Sequence, residues 1–277
     1  MRALKTVLDF YINSSIHVAL AVYALSWITL LQFDIDYDGN VLYFSFFASI
    51  TGYNFVKFFG LAKFHHRKLT SMLKSIQMLS LISFIAMGYY LLQLQMITIG
   101  YIAVFALATF LYAVPVLPKR LFIDQQKNLR SIGGLKIYII ALVWTGVTVV
   151  LPLIDNNHDI TKDVFITGVQ RFFIVIVLML PFEIRDLNFD SLKLSTIPQK
   201  IGVKGTKVCG VLLLLVSYIL EFLRVNTYPY ILLSHTLIIL ILCAFLLLSF
   251  KRQSKYYTAF WVESIPIWWL ILLLVLL

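Results

Sequence analysis

The chain has 277 residues, 61% of them hydrophobic and 13% charged, with a formal net charge of +10. Soluble domains carry roughly 25% charged residues, so this balance excludes an ordinary water-soluble globular fold. The basic residues sit in short segments between apolar runs, where they read as a topology signal and not as a nucleic-acid surface.

Arg2 and Lys5 precede the first apolar run, and no small-residue cleavage site follows it, so the run is expected to be a retained span. Apolar runs of about twenty residues, the length a bilayer core requires of a helix, then recur along the chain. They lie near 14–32, 41–60, 72–93, 97–116, 134–153, 164–181, 207–223, 230–250 and 258–277. Backbone groups cannot stay unpaired in lipid, and the runs are continuous where a barrel would alternate. The expected fold is therefore an all-α polytopic membrane protein of about nine spans, forming one domain over 1–277.

The segments between spans set the orientation. The first holds Asp34, Asp36 and Asp38 with no Lys or Arg, whereas the second holds Lys63, His65, His66, Arg67 and Lys68. The third is very short, and the fourth holds Lys119, Arg120, Lys127 and Arg130. The fifth has Asp155, Asp159 and Asp163 against Lys162, and the sixth has Arg185, Lys193, Lys200, Lys204 and Lys207. The seventh has Arg224, and the eighth has Lys251, Arg252 and Lys255. Even segments are basic and odd ones acidic or bare, which predicts a cytoplasmic N-terminus and an outside C-terminus. The compact single domain without a transit peptide favours a bacterial cell membrane. Paired broken helices and a midplane charge network, the marks of a transporter, are not evident in the spans.

The sixth segment carries the most chemistry. Glu183, Asp186 and Asp190 are spaced by three and four residues, which puts them within roughly 60° of one helix face. Three acids on one face repel unless a cation sits among them, and hard oxygen donors suit Mg²⁺ together with a substrate phosphate. Arg185 is expected to point away from this face. Elsewhere, Glu221 and Arg224 have the spacing of a helical ion pair near the outer surface. Glu263 and His235 read first as packed, polar-paired groups. Cys209 and Cys243 fall in apolar runs without metal-ligand spacing.

The stretch Glu183-Ile-Arg-Asp186-Leu-Asn-Phe-Asp190, followed by Thr196-Ile197-Pro198 and Gly202, resembles the second aspartate-rich motif of the UbiA family of intramembrane prenyltransferases. Tyr112-Ala-Val-Pro115 with Lys119 is similar to the end of that family's fourth helix. Arg130 through Gly133, Gly134 and Lys136 to Trp144 is similar to the start of its fifth. The resemblance implies nine helices around a central cavity open to the cytoplasmic side. It implies transfer of an isoprenyl group from an isoprenyl diphosphate to a lipophilic acceptor, aromatic or not, with Mg²⁺ held by acidic motifs. On that basis Glu183, Asp186 and Asp190 are the metal ligands, and Asp186, Asp190 and Asn54 the catalytic residues. Lys57, Lys119, Tyr112 and Arg130 are the substrate-binding residues.

The first motif departs from the family pattern. Asn54 is kept, but Phe58 and Ala62 stand where aspartates are expected. Lys57 lies three residues after Asn54 and hence on the same helix face. A lysine serves phosphate as a point charge, so Lys57 is expected to take the place of one metal on the diphosphate. The competing expectation is a non-catalytic lipid- or partner-binding protein on the same frame.

Overall fold

The computed structural model describes residues 2–58, 71–113, 134–187, 196–225 and 227–277, and these are helices and short connections. In chain order they are α1 (Arg2–Asn13), α2 (Ile16–Gln32), α3 (Gly39–Phe58), α4 (Ser71–Leu91) and α5 (Met96–Ala113). Then come α6 (Leu135–Thr145), a π-helical turn (Gly146–Val150), α7 (Leu151–Asp155), α8 (Lys162–Asp186) and α9 (Ile197–Glu221). The chain closes with α10 (Pro229–Leu248), a second π-helical stretch (Tyr257–Val262) and α11 (Ile265–Leu276). A helix occupies the place of each expected span.

Among the described residues, six helices are long and apolar enough to cross a membrane, and seven when α1 and α2 are taken together as one span bent by 58°. α3 falls short because Ser45, Ser49, Thr51, Asn54 and Lys57 dilute its apolar character. Among the described residues Met96–Leu111 of α5 forms a shorter apolar helix.

Burial sorts the helices. Two-thirds (67%) of the apolar window of α8 is buried, against 11% for α4 and 22% for α9, so α8 is the central post and α4 and α9 present their apolar faces outward. Ile174 to Leu180 of α8 pack into one core with α2, α6, α10 and α11. α2 contacts both α3 and α11, so the ends of the chain meet. Met78, Ile85 and Tyr89 of α4 and Val208, Leu212 and Ile219 of α9 are exposed, as lipid-facing residues must be.

Local chemistry explains the breaks. Ser15 takes a left-handed conformation (φ 66°) between α1 and α2, which bends the chain sharply. Gly202 has φ 71° inside α9, a conformation glycine adopts freely, and so interrupts the helix near its start. π-Helical turns re-aim backbone carbonyls and often mark functional sites. Here Thr148 O accepts from Thr29 Oγ1 at 2.6 Å, and Phe260 O accepts from Ser264 Oγ at 2.6 Å.

Candidate active site

The α1–α2 joint is held from two sides. On the α3 side, buried Asn54 makes three amide hydrogen bonds, two of them to the joint. Its Oδ1 accepts from Ser15 Oγ at 2.8 Å, and its Nδ2 donates to Ser14 O at 3.0 Å and to Ser80 Oγ of α4 at 2.8 Å. On the opposite side, His17 Nε2 lies 2.9 Å from Phe260 O. A carbonyl only accepts, so Nε2 carries the proton, and Nδ1 takes the Tyr11 hydroxyl at 2.8 Å. The His17 ring also stacks on Phe260 at 5.0 Å. These contacts lock α1, α2, α3, α4 and the second π-helical stretch around one end of the bundle.

Lys57 extends from this lock. Its Nζ donates to Ser15 Oγ at 2.8 Å, while the side chain remains exposed. Across the end of the bundle, at the foot of α8, Arg185 grips both oxygens of Asp186, with Nε to Oδ1 at 2.6 Å and Nη2 to Oδ2 at 3.0 Å. Its Nη1 donates to Thr258 Oγ1 at 2.6 Å. The expectation that Arg185 points away from the acids is therefore corrected. A bidentate guanidinium–carboxylate pair is among the strongest polar contacts available to the chain, and adjacent residues can form it at a helix end. Both cations are tied to the second π-helical stretch, Arg185 through Thr258, and Lys57 through the Ser15 joint, whose His17 bonds Phe260 O. The ends of α3, α8 and the second π-helical stretch thus converge.

The remaining predicted site residues divide in two. Glu183 is buried (3% exposed), and its Oε2 accepts the Ile197 N–H at 3.3 Å, so its charge sits at the N-terminus of α9, where the helix dipole stabilises it. Gln199 completes that terminus by accepting the Thr196 N–H at 3.0 Å. Asp190, Lys119 and Arg130 lie outside the described residues, as does the side chain of Tyr112. Among the described residues no three His, Cys, Asp or Glu side chains converge as a metal site. Glu183 and Asp186 are nevertheless two hard oxygen donors on one helix face, and Mg²⁺ is commonly held by one or two carboxylates together with substrate phosphates.

Several supporting residues had weak sequence signals. Gln253 Nε2 donates to Pro181 O at 2.7 Å and ties the segment before the second π-helical stretch to α8. Tyr53 Oη accepts the Trp144 Nε1–H at 2.7 Å and joins α3 to α6. Lys255 Nζ lies 2.6 Å from Asp9 Oδ1, and Tyr256 Oη donates to the same oxygen at 2.8 Å. The hydrogen bond to Asp9 raises the Lys255 ammonium above its ordinary pKa.

Towards the other end, the spans hold more buried charge than the sequence reading allowed. Arg171, within α8, is 1% exposed and donates to Leu25 O at 2.7 Å and to Thr29 Oγ1 at 3.2 Å. Its guanidinium also lies over the Trp269 ring at 5.4 Å. Glu221 and Arg224 do pair, at 3.4 Å, but their side chains are 0% and 1% exposed and not at the surface. Gln170 Nε2 joins them through Glu221 Oε2 at 2.8 Å. Packing of α8 against α9 buries this pair, which spacing within one helix cannot reveal.

No family model and no curated protein matches the chain. One similarity is structural. A solved structure of digeranylgeranylglyceryl phosphate synthase in membranes superposes with a TM-score of 0.56 at 17% identity, covering 100% of this chain and 97% of that one. The two chains share a fold over their full lengths.

Proposed function

We propose that this chain is a prenyltransferase-like integral membrane enzyme that moves an isoprenyl group from an isoprenyl diphosphate to a lipophilic acceptor. The observation that carries the reading is that Lys57 of α3 and Arg185 of α8 are tied, through Ser15 with His17 and through Thr258, to the same π-helical stretch, on a helical frame similar to that of digeranylgeranylglyceryl phosphate synthase. On this reading nine spans surround a cavity open to the cytoplasm, with the N-terminus inside.

Transfer requires the allylic carbon–oxygen bond to break and a diphosphate to depart with an extra negative charge. Fixed cations in a dry site lower that barrier more than they would in water. Lys57 supplies such a charge from α3, next to Phe58, which stands where the family pattern has an acid. Asn54 acts by fixing Ser15, and through it the position of Lys57. Glu183, Asp186 and Asp190 would hold Mg²⁺, which when bound neutralises charge on the leaving group. Lys119, Arg130 and Tyr112 complete the substrate contacts in this proposal. Displacement of Arg185 from Asp186 would free that carboxylate for the metal and the guanidinium for phosphate.

A second reading is a non-catalytic lipid-binding protein on the same fold. The Phe58 side chain favours it, since it cannot ligate a metal where the family pattern has an acid, while the Asn54 amide is engaged by Ser14, Ser15 and Ser80. One experiment separates the two. Purified protein is incubated with labelled farnesyl or geranylgeranyl diphosphate, Mg²⁺ and a lipid extract, beside an Asp186→Ala variant. A labelled lipophilic product from the wild type that the variant fails to make supports transfer. Equal behaviour of the two proteins refutes it.

A further inference from the structure

α1 has the composition and the direction of a surface helix. Its 12 residues include Lys5 and Asp9, and the left-handed Ser15 turns it 58° away from the line of α2. The 17 residues of α2 already cover about 25 Å. α1 is about 18 Å long, and the bend lets it rise only about 10 Å further along the α2 axis. A rise of that size fits the layer where headgroups meet acyl chains and falls well short of a bilayer core. The bend is held in place: Asn54 binds Ser14 O and Ser15 Oγ, and the Tyr11 hydroxyl meets His17 Nδ1.

Leu4, Val7, Leu8 and Tyr11 fall within about 100° of one face of α1. Leu8 and Tyr11, nearer the joint, are half-buried, whereas Leu4 and Val7, further out, are 76% and 65% exposed. The apolar face therefore leaves the bundle and continues into its surroundings. The charges beside it select what covers it. Lys5 is exposed on the flank of this face. Asp9, the one acid of α1, is taken by Lys255 at 2.6 Å and by Tyr256 at 2.8 Å. That contact brings the segment bearing exposed Lys251 and Arg252 up to α1, and residues 250–262 contain no acid. An apolar face rimmed by cations matches an anionic lipid surface. A second copy of the chain would set the same cations against one another.

We propose that α1 is a shallow interfacial anchor that docks on anionic phospholipid. Leu4 and Val7 enter the acyl chains just below the headgroups, and Lys5 lies among the phosphates. The joint at the end of α1 also holds Lys57 through Ser15 Oγ, so the docked helix steadies that ammonium. Docking of α1 does not depend on the transferase reading.

The test places a nitroxide on Val7→Cys in the full chain, with Cys209 and Cys243 replaced by Ser. The protein is reconstituted in phosphatidylcholine vesicles with and without phosphatidylglycerol. Accessibility to oxygen and to a water-soluble nickel chelate gives the depth of the label, and thermal unfolding identifies folded variants. Where Val7→Cys does not fold, Leu4→Cys carries the label. With phosphatidylglycerol the label is expected about 5–10 Å below the phosphates. Lys5→Gln should then lower the ratio of immobile to mobile spectral components about fivefold. A label as open to the nickel chelate as one at exposed Asp159 puts α1 in water and overturns the proposal. A label equally deep in pure phosphatidylcholine and unmoved by Lys5→Gln makes α1 part of a span, which also overturns it. Immobilisation found only at high protein-to-lipid ratio assigns the face to a second copy and refutes lipid docking.

Discussion

Replacing Asn54 with Leu removes three buried hydrogen bonds at once, to Ser15 Oγ, Ser14 O and Ser80 Oγ. Each is worth about 1 kcal/mol net, and a buried acceptor left orphaned costs about 1–3 kcal/mol more. Ser80 Oγ keeps its bond to Ile76 O, and Ser15 Oγ keeps Lys57, but the Ser14 carbonyl loses its side-chain donor in a fully buried joint. The total is about 4–6 kcal/mol, which for a chain of this size lowers the melting temperature by about 8–24 °C. Asn54→Asp is expected to do nearly the same, because an oxygen then faces Ser14 O. The five tryptophans make intrinsic fluorescence in detergent a direct probe. A shift below about 2 °C for Asn54→Leu, smaller than one such bond supplies, would mean that the amide does not hold the joint.

Other expected outcomes follow from single contacts. Gly202→Ala meets nothing within 4 Å but must adopt φ 71°, so it should destabilise by about 1–2 kcal/mol through the backbone alone; a thermal melt equal to wild type would refute the left-handed break. Gln253→Leu loses the bond to Pro181 O and that to the Phe250 amide, about 1–3 kcal/mol by thermal unfolding, and no loss would mean that the loop does not clamp α8. The Lys255 ammonium is stabilised by Asp9, so its contribution to holding α1 is complete below its ordinary value of 10.5 and fades as pH rises through the raised value of the folded state. Hydrogen exchange of α1 amides should therefore be no faster in Lys255→Met than in wild type once pH is well above that range, and faster near neutrality. Equal exchange at neutral pH would dismiss the contact.

The helix positions were legible because each expected span is an apolar run, a pattern that needs no tertiary information. α1 was missed as a helix: Leu4, Val7, Leu8 and Tyr11 have helical spacing, but the run is short and Lys5 and Asp9 interrupt it. The span count was harder to fix, since α3 carries a polar face that makes sense only against Ser15 and Ser80. At the site, Lys57 stood out because it lies on the helix face of Asn54, beside the Phe58 that stands where an aspartate is expected. Arg171 did not, because a lone arginine inside an apolar run resembles a flaw in that run until Leu25 O, Thr29 and Trp269 surround it. Glu263 was legible as a charge inside an apolar run, but what surrounds the π-helical stretch before it comes from α2 and α8, through His17 and Arg185, which are far away in sequence.

The central claim is that Lys57 and Arg185 receive a diphosphate. Equilibrium binding of a non-hydrolysable geranylgeranyl diphosphate analogue to wild type and Lys57→Met tests it most directly. A charge-assisted hydrogen bond is worth about 1.5–3 kcal/mol, so the variant should bind about 10–150-fold more weakly while its melting temperature stays near that of wild type. Equal affinity in the two proteins, or no saturable binding to the wild type, would contradict the account.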